Sequence, residues 1–261
     1  MPIRRRFGQN FLTDQTALAR IAAALELTGN EQVVEIGPGR GALTAHLVGK
    51  CRRLTCVEID RDLVAGLRAT YDAREGVVVV EGDILETDLD ALAGGPFVLV
   101  GNVPYNITTP IIFHALSSRG MQRAVFLVQR EVADRLSARP GESTYGALTV
   151  NVALTHDVEM VAQVPAGAFF PRPKVQSAVI RFTPGSHQVV SPAEAADVRA
   201  FVTAMFGQRR RQLVRALRTV RDLSAIEATA VVARARLDAT RRPETLDAGE
   251  FVRLFEAVRS A

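Results

Sequence analysis

The sequence predicts an α/β fold: a Rossmann-like, doubly wound and mostly parallel sheet, followed by a small all-helical C-terminal domain. Three observations carry this. Short apolar runs alternate with helical patterns through the first two-thirds of the chain, which is the signature of βαβ units. A glycine-rich turn, Gly37-Pro38-Gly39-Arg40-Gly41, follows the first apolar run. From Ser191 onward the pattern is helical to the end, with no strand candidate.

The elements follow in order. A helix comes first, with Leu18, Ile21 and Leu25 on one face. Gln32 to Ile36 reads as the first strand, and the glycine turn leads into a helix from Ala42 to Val48. Strand Leu54 to Ile59, helix Asp62 to Tyr71 and strand Val77 to Val80 continue the alternation. Strand Phe97 to Val100 ends at Gly101. Thr109 before Pro110 reads as a helix start: a capping hydroxyl, then proline at the first helical position, where its missing N–H costs nothing. Strand Ala124 to Val128 and helix Glu131 to Leu136 complete the series. Leu148 to Leu154 and Ser177 to Phe182 are read as closing strands, expected to form an antiparallel pair at the sheet edge. At Phe182-Thr183-Pro184-Gly185-Ser186 the pattern changes, which divides the chain into domains of residues 1–186 and 187–261.

Composition narrows the class of protein. With 48% hydrophobic and 23% charged residues, the 261-residue chain can bury a core, which excludes dominant disorder. Cys51 and Cys56 are the only cysteines and form no CxxC pair, so a disulfide scaffold is excluded and a reducing compartment is expected. The four histidines, His46, His114, His156 and His187, are scattered away from ligand spacing, and no metal is expected. Ala91 to Ser118 is uncharged and long enough to span a membrane, but Pro96, Asn102, Pro104, Asn106 and Pro110 interrupt it. The N-terminus carries positive charge without an apolar run, so a cytoplasmic protein is expected.

The net charge of +4 is unevenly spread. Between Ala204 and Arg242 ten arginines face three acids, so this segment carries +7 and the rest of the chain −3. Lys50 and Lys174 are the only lysines. An arginine-dominated block suits a phosphate-rich partner, although a merely solvated basic face has the same composition.

The glycine turn lies at the carboxyl end of the first strand, where doubly wound sheets bind ligands. Gly37, Gly39 and Gly41 allow close approach of backbone N–H groups, in a GxGxG spacing rather than GxGxxG. Glu58 ends the second strand, seventeen residues after Gly41, and can accept from both hydroxyls of a ribose. Asp83, at the end of the third, can accept from the exocyclic amine of an adenine. Together they predict an adenosine-containing cofactor, with the spacing favouring S-adenosylmethionine over NAD. A nucleotide-free Rossmann-like fold with a tight turn is the bland alternative.

Asn102-Val103-Pro104-Tyr105 ends the fourth strand. An adenine N6 lone pair is delocalised into the ring, so a site that methylates it must draw that pair out of conjugation. The Asn102 side-chain oxygen and the Val103 carbonyl can accept the two amine protons. Pro104 stiffens the turn, and Tyr105 offers a face on which an extruded base can stack. No general base is needed before attack, because the proton leaves after the nitrogen becomes cationic. Alone, N-x-P-Y is a common turn; behind this glycine loop it points to amine methylation.

Here the sequence resembles the ribosomal RNA adenine dimethyltransferases, of the KsgA type that acts on the bacterial small subunit. Gly8-Gln9-Asn10-Phe11-Leu12 is similar to the family's N-terminal motif, which implies that Gln9, Asn10 and Leu12 help enclose the cofactor's methionine end. Glu35 to Gly41 matches the first cofactor motif, Glu58 the ribose acid and Asp83 the adenine contact. Asn102 to Tyr105 matches the catalytic N-L-P-Y, with Val103 in place of leucine. Phe169-Phe170-Pro171-Arg172-Pro173-Lys174-Val175-Gln176-Ser177 matches F-x-P-x-P-K-V-x-S, which implies that Phe169 forms the other side of a base clamp. Phe170 falls at a variable position. Without the resemblance, Phe169 reads as a core aromatic.

The resemblance implies methyl transfer from S-adenosylmethionine to N6 of two adjacent adenosines in a 3′-terminal hairpin loop of 16S rRNA, during small-subunit biogenesis. The implied partner is rRNA in an immature small ribosomal subunit, the enzyme itself being expected as a monomer. Two alternatives stand beside it: an assembly checkpoint factor with incidental methylation, and a macrolide-resistance type of 23S rRNA methyltransferase. In the segment from Phe206 to Arg221, Phe206, Leu213, Leu217 and Val220 fall on one helical face, and Arg211, Arg215 and Arg218 lie about 200° away from Leu213, Leu217 and Val220 at about 100° per residue. These three arginines are the candidate RNA contact.

Overall fold

The computed structural model describes residues 10–185, 190 and 194–260. Gln9 and the expected boundary at 186/187 lie outside the described residues. The chain opens with β1 (Phe11–Leu12) and α1 (Gln15–Ala24). The alternation runs β2 (Gln32–Ile36), α2 (Thr44–Leu47), β3 (Arg53–Glu58), α3 (Arg61–Tyr71), β4 (Val77–Glu81), α4 (Leu89–Ala93), β5 (Phe97–Asn102), α5 (Thr108–Ser117), β6 (Met121–Gln129) and α6 (Arg130–Leu136). Then come α7 (Ala147–Ala153), β7 (His156–Val164), β8 (Phe169–Phe170) and β9 (Ser177–Pro184). Helices α8 (Ala195–Phe206), α9 (Leu213–Arg221), α10 (Ala225–Arg234) and α11 (Ala248–Arg259) follow.

Seven strands form one sheet in the order β4-β3-β2-β5-β6-β9-β7. The first five are parallel, and β9 runs antiparallel to β6. The chain winds outward from β2 to β4, then returns to β5 on the other side of β2. A crevice therefore opens at the carboxyl ends of β2 and β5. All five residues of β2 are buried, as a parallel strand covered on both faces requires. Gly101 lets β5 close on β2 at this point: a Cβ there would sit 2.8 Å from the Ile36 carbonyl oxygen.

Three expectations are corrected. Leu148 to Leu154, read as a strand, is helical as α7. Its β-branched Thr149, Val150 and Val152 favour a strand by propensity, but Leu148, Thr149, Val150, Asn151 and Val152 are all buried. Packing on every side decides against a weak local preference. The edge strand is the next run, β7, whose side chains alternate in exposure along its length. Helix α5 begins at Thr108 rather than after a Thr109 cap, which places Pro110 third in its first turn. The Thr108 hydroxyl donates to the Pro104 carbonyl at 3.0 Å, tying the helix to the preceding turn. The helix expected from Phe206 to Arg221 is broken: α8 ends at Phe206 and α9 starts at Leu213. Arg211 lies in the intervening turn, and its Nη1 donates to the Thr219 hydroxyl at 3.3 Å.

The chain packs as two compact units. One takes in the residues up to Ala133 together with Glu159–Thr183; the other combines Asp134–Val158 with the chain from Pro184 on. The second is thus more than the C-terminal segment that the composition change marks. Its core joins Tyr145, Val150 and Leu154 to Val198, Phe201, Leu217 and Phe251, and the buried Tyr145 hydroxyl donates to the Leu246 carbonyl at 2.7 Å. In this unit Leu213 and Leu217 of α9 are fully buried, while Arg211, Arg215 and Arg218 are exposed.

Candidate active site

A cavity of about 270 Å³ opens at the carboxyl ends of β2, β3 and β5. The glycine turn forms its floor, with φ of 60° at Gly37, 61° at Gly39 and 81° at Gly41. Gly39 also admits a neighbour: a Cβ there would meet the Phe11 ring at 3.1 Å, so the ring lies against the loop. The Arg40 guanidinium sits 4.7 Å from the centroid of that ring.

Glu58 closes β3 and is buried. Its Oε2 accepts from the Gly39 amide and its Oε1 from the Asp60 amide, each at 3.0 Å. Burial pushes its carboxyl above the ordinary value, and these two amides counter the effect. Glu35 lies deeper, accepting from the Thr44 hydroxyl at 2.7 Å and the Cys56 thiol at 3.7 Å. Burial raises its carboxyl to about 7; those hydrogen bonds oppose the rise, and the Glu58 charge adds to it. Asp83 follows β4, and its Oδ1 accepts from the Leu85 amide at 2.9 Å.

The turn after β5 is pinned at each residue. Asn102 Nδ2 donates to the Asn10 carbonyl at 2.8 Å. An amide nitrogen facing a carbonyl leaves Oδ1 at the other end of the group as a free acceptor. The Val103 side chain is buried. Pro104's carbonyl accepts from the Ile107 amide at 3.2 Å and from Thr108. The Tyr105 hydroxyl pairs with the Ser177 hydroxyl at 2.7 Å, which anchors the ring to the start of β9.

Most of the residues singled out in the sequence converge on this cavity: Asn10, Leu12, Gly37, Gly39, Glu58, Asp83, Asn102, Val103, Pro104 and Tyr105 all line it. Gly41 supports it from behind, where its carbonyl accepts from the Tyr71 hydroxyl at 3.3 Å. Phe169 does not line it. That ring is 4% exposed and belongs to the core with Leu12, while its neighbour Phe170, 61% exposed, lines the cavity. Of the two phenylalanines, Phe169 is turned into the core and Phe170 reaches the cavity. Phe11, Glu35, Ile59 and Phe170 also line it and were not singled out as site residues. Strand alternation in Phe169-Phe170 is the signal that separates the buried ring from the exposed one.

Burial raises the Cys51 thiol to about 11 and the Cys56 thiol higher still, so neither is a thiolate at neutral pH. Among the described residues no group of three potential metal ligands occurs, and no helix is long and apolar enough to cross a membrane.

A cavity at this switch point, walled by fixed amide and carbonyl acceptors beside an aromatic ring, defines the class: a Rossmann-like methyltransferase. More narrowly, the chain belongs to the ribosomal RNA adenine dimethylase family, whose sequence profile matches residues 2–258. It is 41% identical to the ribosomal RNA small subunit methyltransferase A of Chromohalobacter salexigens, over 96% of this chain and 89% of that one. Among solved structures, a dimethyladenosine transferase from Plasmodium falciparum superposes with a TM-score of 0.83 at 25% identity, covering 96% of this chain and 98% of the other. The 23S rRNA methyltransferase ErmE superposes at 0.75 with 29% identity, covering 96% and 100%.

Proposed function

We propose that the protein uses S-adenosylmethionine to dimethylate N6 of two adjacent adenosines in the 3′-terminal hairpin loop of 16S rRNA, while the small subunit is being assembled in the cytoplasm. The observation that carries this is the pair of acceptors after β5. Asn102 Oδ1 and the Val103 carbonyl both lack a donor among the described residues, and both belong to residues lining the cavity. Two acceptors without a basic side chain between them suit a primary amine with two protons to place.

The cavity fits the cofactor. Each Glu58 oxygen keeps a lone pair for a ribose hydroxyl after accepting its backbone amide. Ile59 is 45% exposed beside it and offers an apolar face to a purine. Glu35 also lines the cavity, and a ligand carrying positive charge there would favour its carboxylate over the neutral acid that burial favours. The bound cofactor supplies an electrophilic methyl group on a sulfonium.

The chain does the rest by orientation. Asn102 and Val103 hold the amine protons and turn its lone pair away from the ring. Tyr105, fixed through Ser177, stacks on the base. After transfer the nitrogen is cationic and releases its proton to solvent. Dimethylation requires the monomethyl product to bind again with one acceptor unused. In the second unit, the exposed arginines of α9 and its preceding turn serve as the rRNA contact, and the enzyme works as a monomer.

The match of the family profile to residues 2–258 and the 41% identity to a small-subunit methyltransferase favour the small-subunit target. Methyl transfer from labelled S-adenosylmethionine to immature 30S particles and to 23S rRNA, with nucleosides resolved by mass spectrometry, tests it. Dimethyladenosine only in 16S rRNA is expected. Transfer only to 23S rRNA overturns the target, and no transfer to either overturns the activity.

A further inference from the structure

The edge of adenine that carries the N6 amine also carries N1, a ring acceptor. A pocket that reads this edge needs one donor beside two acceptors. Asn102 Oδ1 and the Val103 carbonyl are the acceptors, and the donor is found by accounting for the side chains around them. Those that line the cavity and carry an N–H or O–H are Asn10, Thr13, Arg40, Asn102, Tyr105 and Asn106. The Thr13 hydroxyl donates to the Ala168 carbonyl at 3.1 Å, and the Asn102 amide to the Asn10 carbonyl at 2.8 Å. The Tyr105 hydroxyl is paired with that of Ser177. Arg40 lies over the Phe11 ring, and Asn10 and Arg40 both hold further contacts.

Asn106 is different. It is exposed, and its side chain makes no hydrogen bond among the described residues. An asparagine in a turn commonly bonds back to the nearby backbone and so helps to close it. Here the turn is closed without that help. The Ile107 amide donates to the Pro104 carbonyl at 3.2 Å, and the Thr108 hydroxyl reaches the Pro104 and Tyr105 carbonyls at 3.0 and 3.4 Å. The Asn106 amide is therefore spare. It stands on a braced turn, directly after the ring on which the base stacks and three residues beyond the Val103 acceptor.

We propose that Asn106 is a specificity-determining residue: its side-chain N–H donates to N1 of the target adenine while Asn102 and Val103 accept from N6. Guanine and hypoxanthine present the reverse pattern on this edge, a carbonyl and an N1–H, and would set like groups against all three partners. The contact is made before and during methyl transfer alike, so it contributes to affinity for the RNA rather than to the chemical step. The assignment rests on the reading of the protein as an rRNA adenine methyltransferase.

The test uses the full chain with the demethylated cofactor product bound, and two short RNA hairpins. One has two adjacent adenosines in its loop; the other has 1-deazaadenosine, with C–H in place of N1, at both positions. The wild type is expected to bind the adenosine hairpin roughly three- to tenfold more tightly, the worth of a neutral hydrogen bond. Asn106→Ala is expected to bind both hairpins alike, at the level the wild type shows for the deaza hairpin. Asn106→Asp is expected to bind the adenosine hairpin more weakly still, because a carboxylate then faces the N1 lone pair. Affinity for S-adenosylmethionine should stay within about twofold in both variants. A substitution that merely loosens the turn weakens both hairpins equally and keeps their ratio, which overturns the proposal. A wild-type protein that binds the two hairpins alike, or binds neither, overturns it as well. Methyl transfer to immature 30S particles is measured beside the binding. A wild type that discriminates between the hairpins but transfers no methyl group defeats the activity reading and retains the N1 contact.

Discussion

The Asn102 side-chain amide donates to the main-chain carbonyl of Asn10, 92 residues away in sequence, at 2.8 Å. The contact couples the N-terminal segment to the catalytic turn and fixes which end of the amide faces the cavity. Asn102→Ala should reduce methyl transfer by roughly 10²–10³, the usual cost of losing one preorganised partner of the transition state, with cofactor affinity unchanged. Asn102→Asp should be as impaired, since it sets a carboxylate oxygen against the Asn10 carbonyl. Single-turnover rates and calorimetry check both; cofactor binding that collapses together with the rate would show that Asn102 serves the cofactor instead.

Glu58→Ala should weaken S-adenosylmethionine binding by about 1.5–3 kcal/mol, the worth of hydrogen bonds to a charged group. The structure adds a second effect, because the Gly39 and Asp60 amides lose their acceptor. Glu58→Gln should fail similarly, because one of its two ends must present N–H to an N–H. Titration with the demethylated product measures this, and an affinity within twofold of wild type would remove Glu58 from the cofactor site.

Glu35 makes the stability of the ligand-free protein depend on pH. Its folded-state value is raised from 4.5 to about 7 by burial. Between these values the folded protein keeps a proton that the unfolded chain has lost, so stability falls as pH rises through this window and levels off above about 7. A shift of this size costs about 3 kcal/mol in total. Glu35→Gln removes the effect, so the variant's stability relative to wild type should rise from pH 5 to pH 7 and then stay constant. Urea unfolding at pH 5, 6, 7 and 8 tests this, and a difference independent of pH would contradict it.

Arg215 and Arg218 project from α9 opposite its buried Leu213 and Leu217, with Arg211 returning toward the same helix through Thr219. Replacing all three by alanine should weaken rRNA binding and flatten its salt dependence by up to about 0.7–0.9 per lost phosphate contact, without altering cofactor affinity. Filter binding across a salt series reads the slope. A slope equal to wild type would mean that this face is merely solvated.

The alternating strands, the glycine turn and the residues at strand ends were legible from the sequence because they are local. A βαβ unit declares itself by apolar period, and a strand-end acid or amide inherits its position from the strand. That is why the sequence itself sets Glu58, Asp83 and Asn102 beside Gly37 and Gly39. The tertiary structure alone decided what depends on burial from all sides. It made Leu148 to Leu154 a helix against β-branched propensity, and drew that helix into the unit of α8–α11 through Val150, Leu154 and Tyr145. It chose between Phe169 and Phe170, which differ in the sequence only by one step of alternation, by pairing Phe169 with Leu12 in the core. It also turned Glu35 into a carboxyl with a value near neutrality, because desolvation is a property of the surroundings and not of the residue.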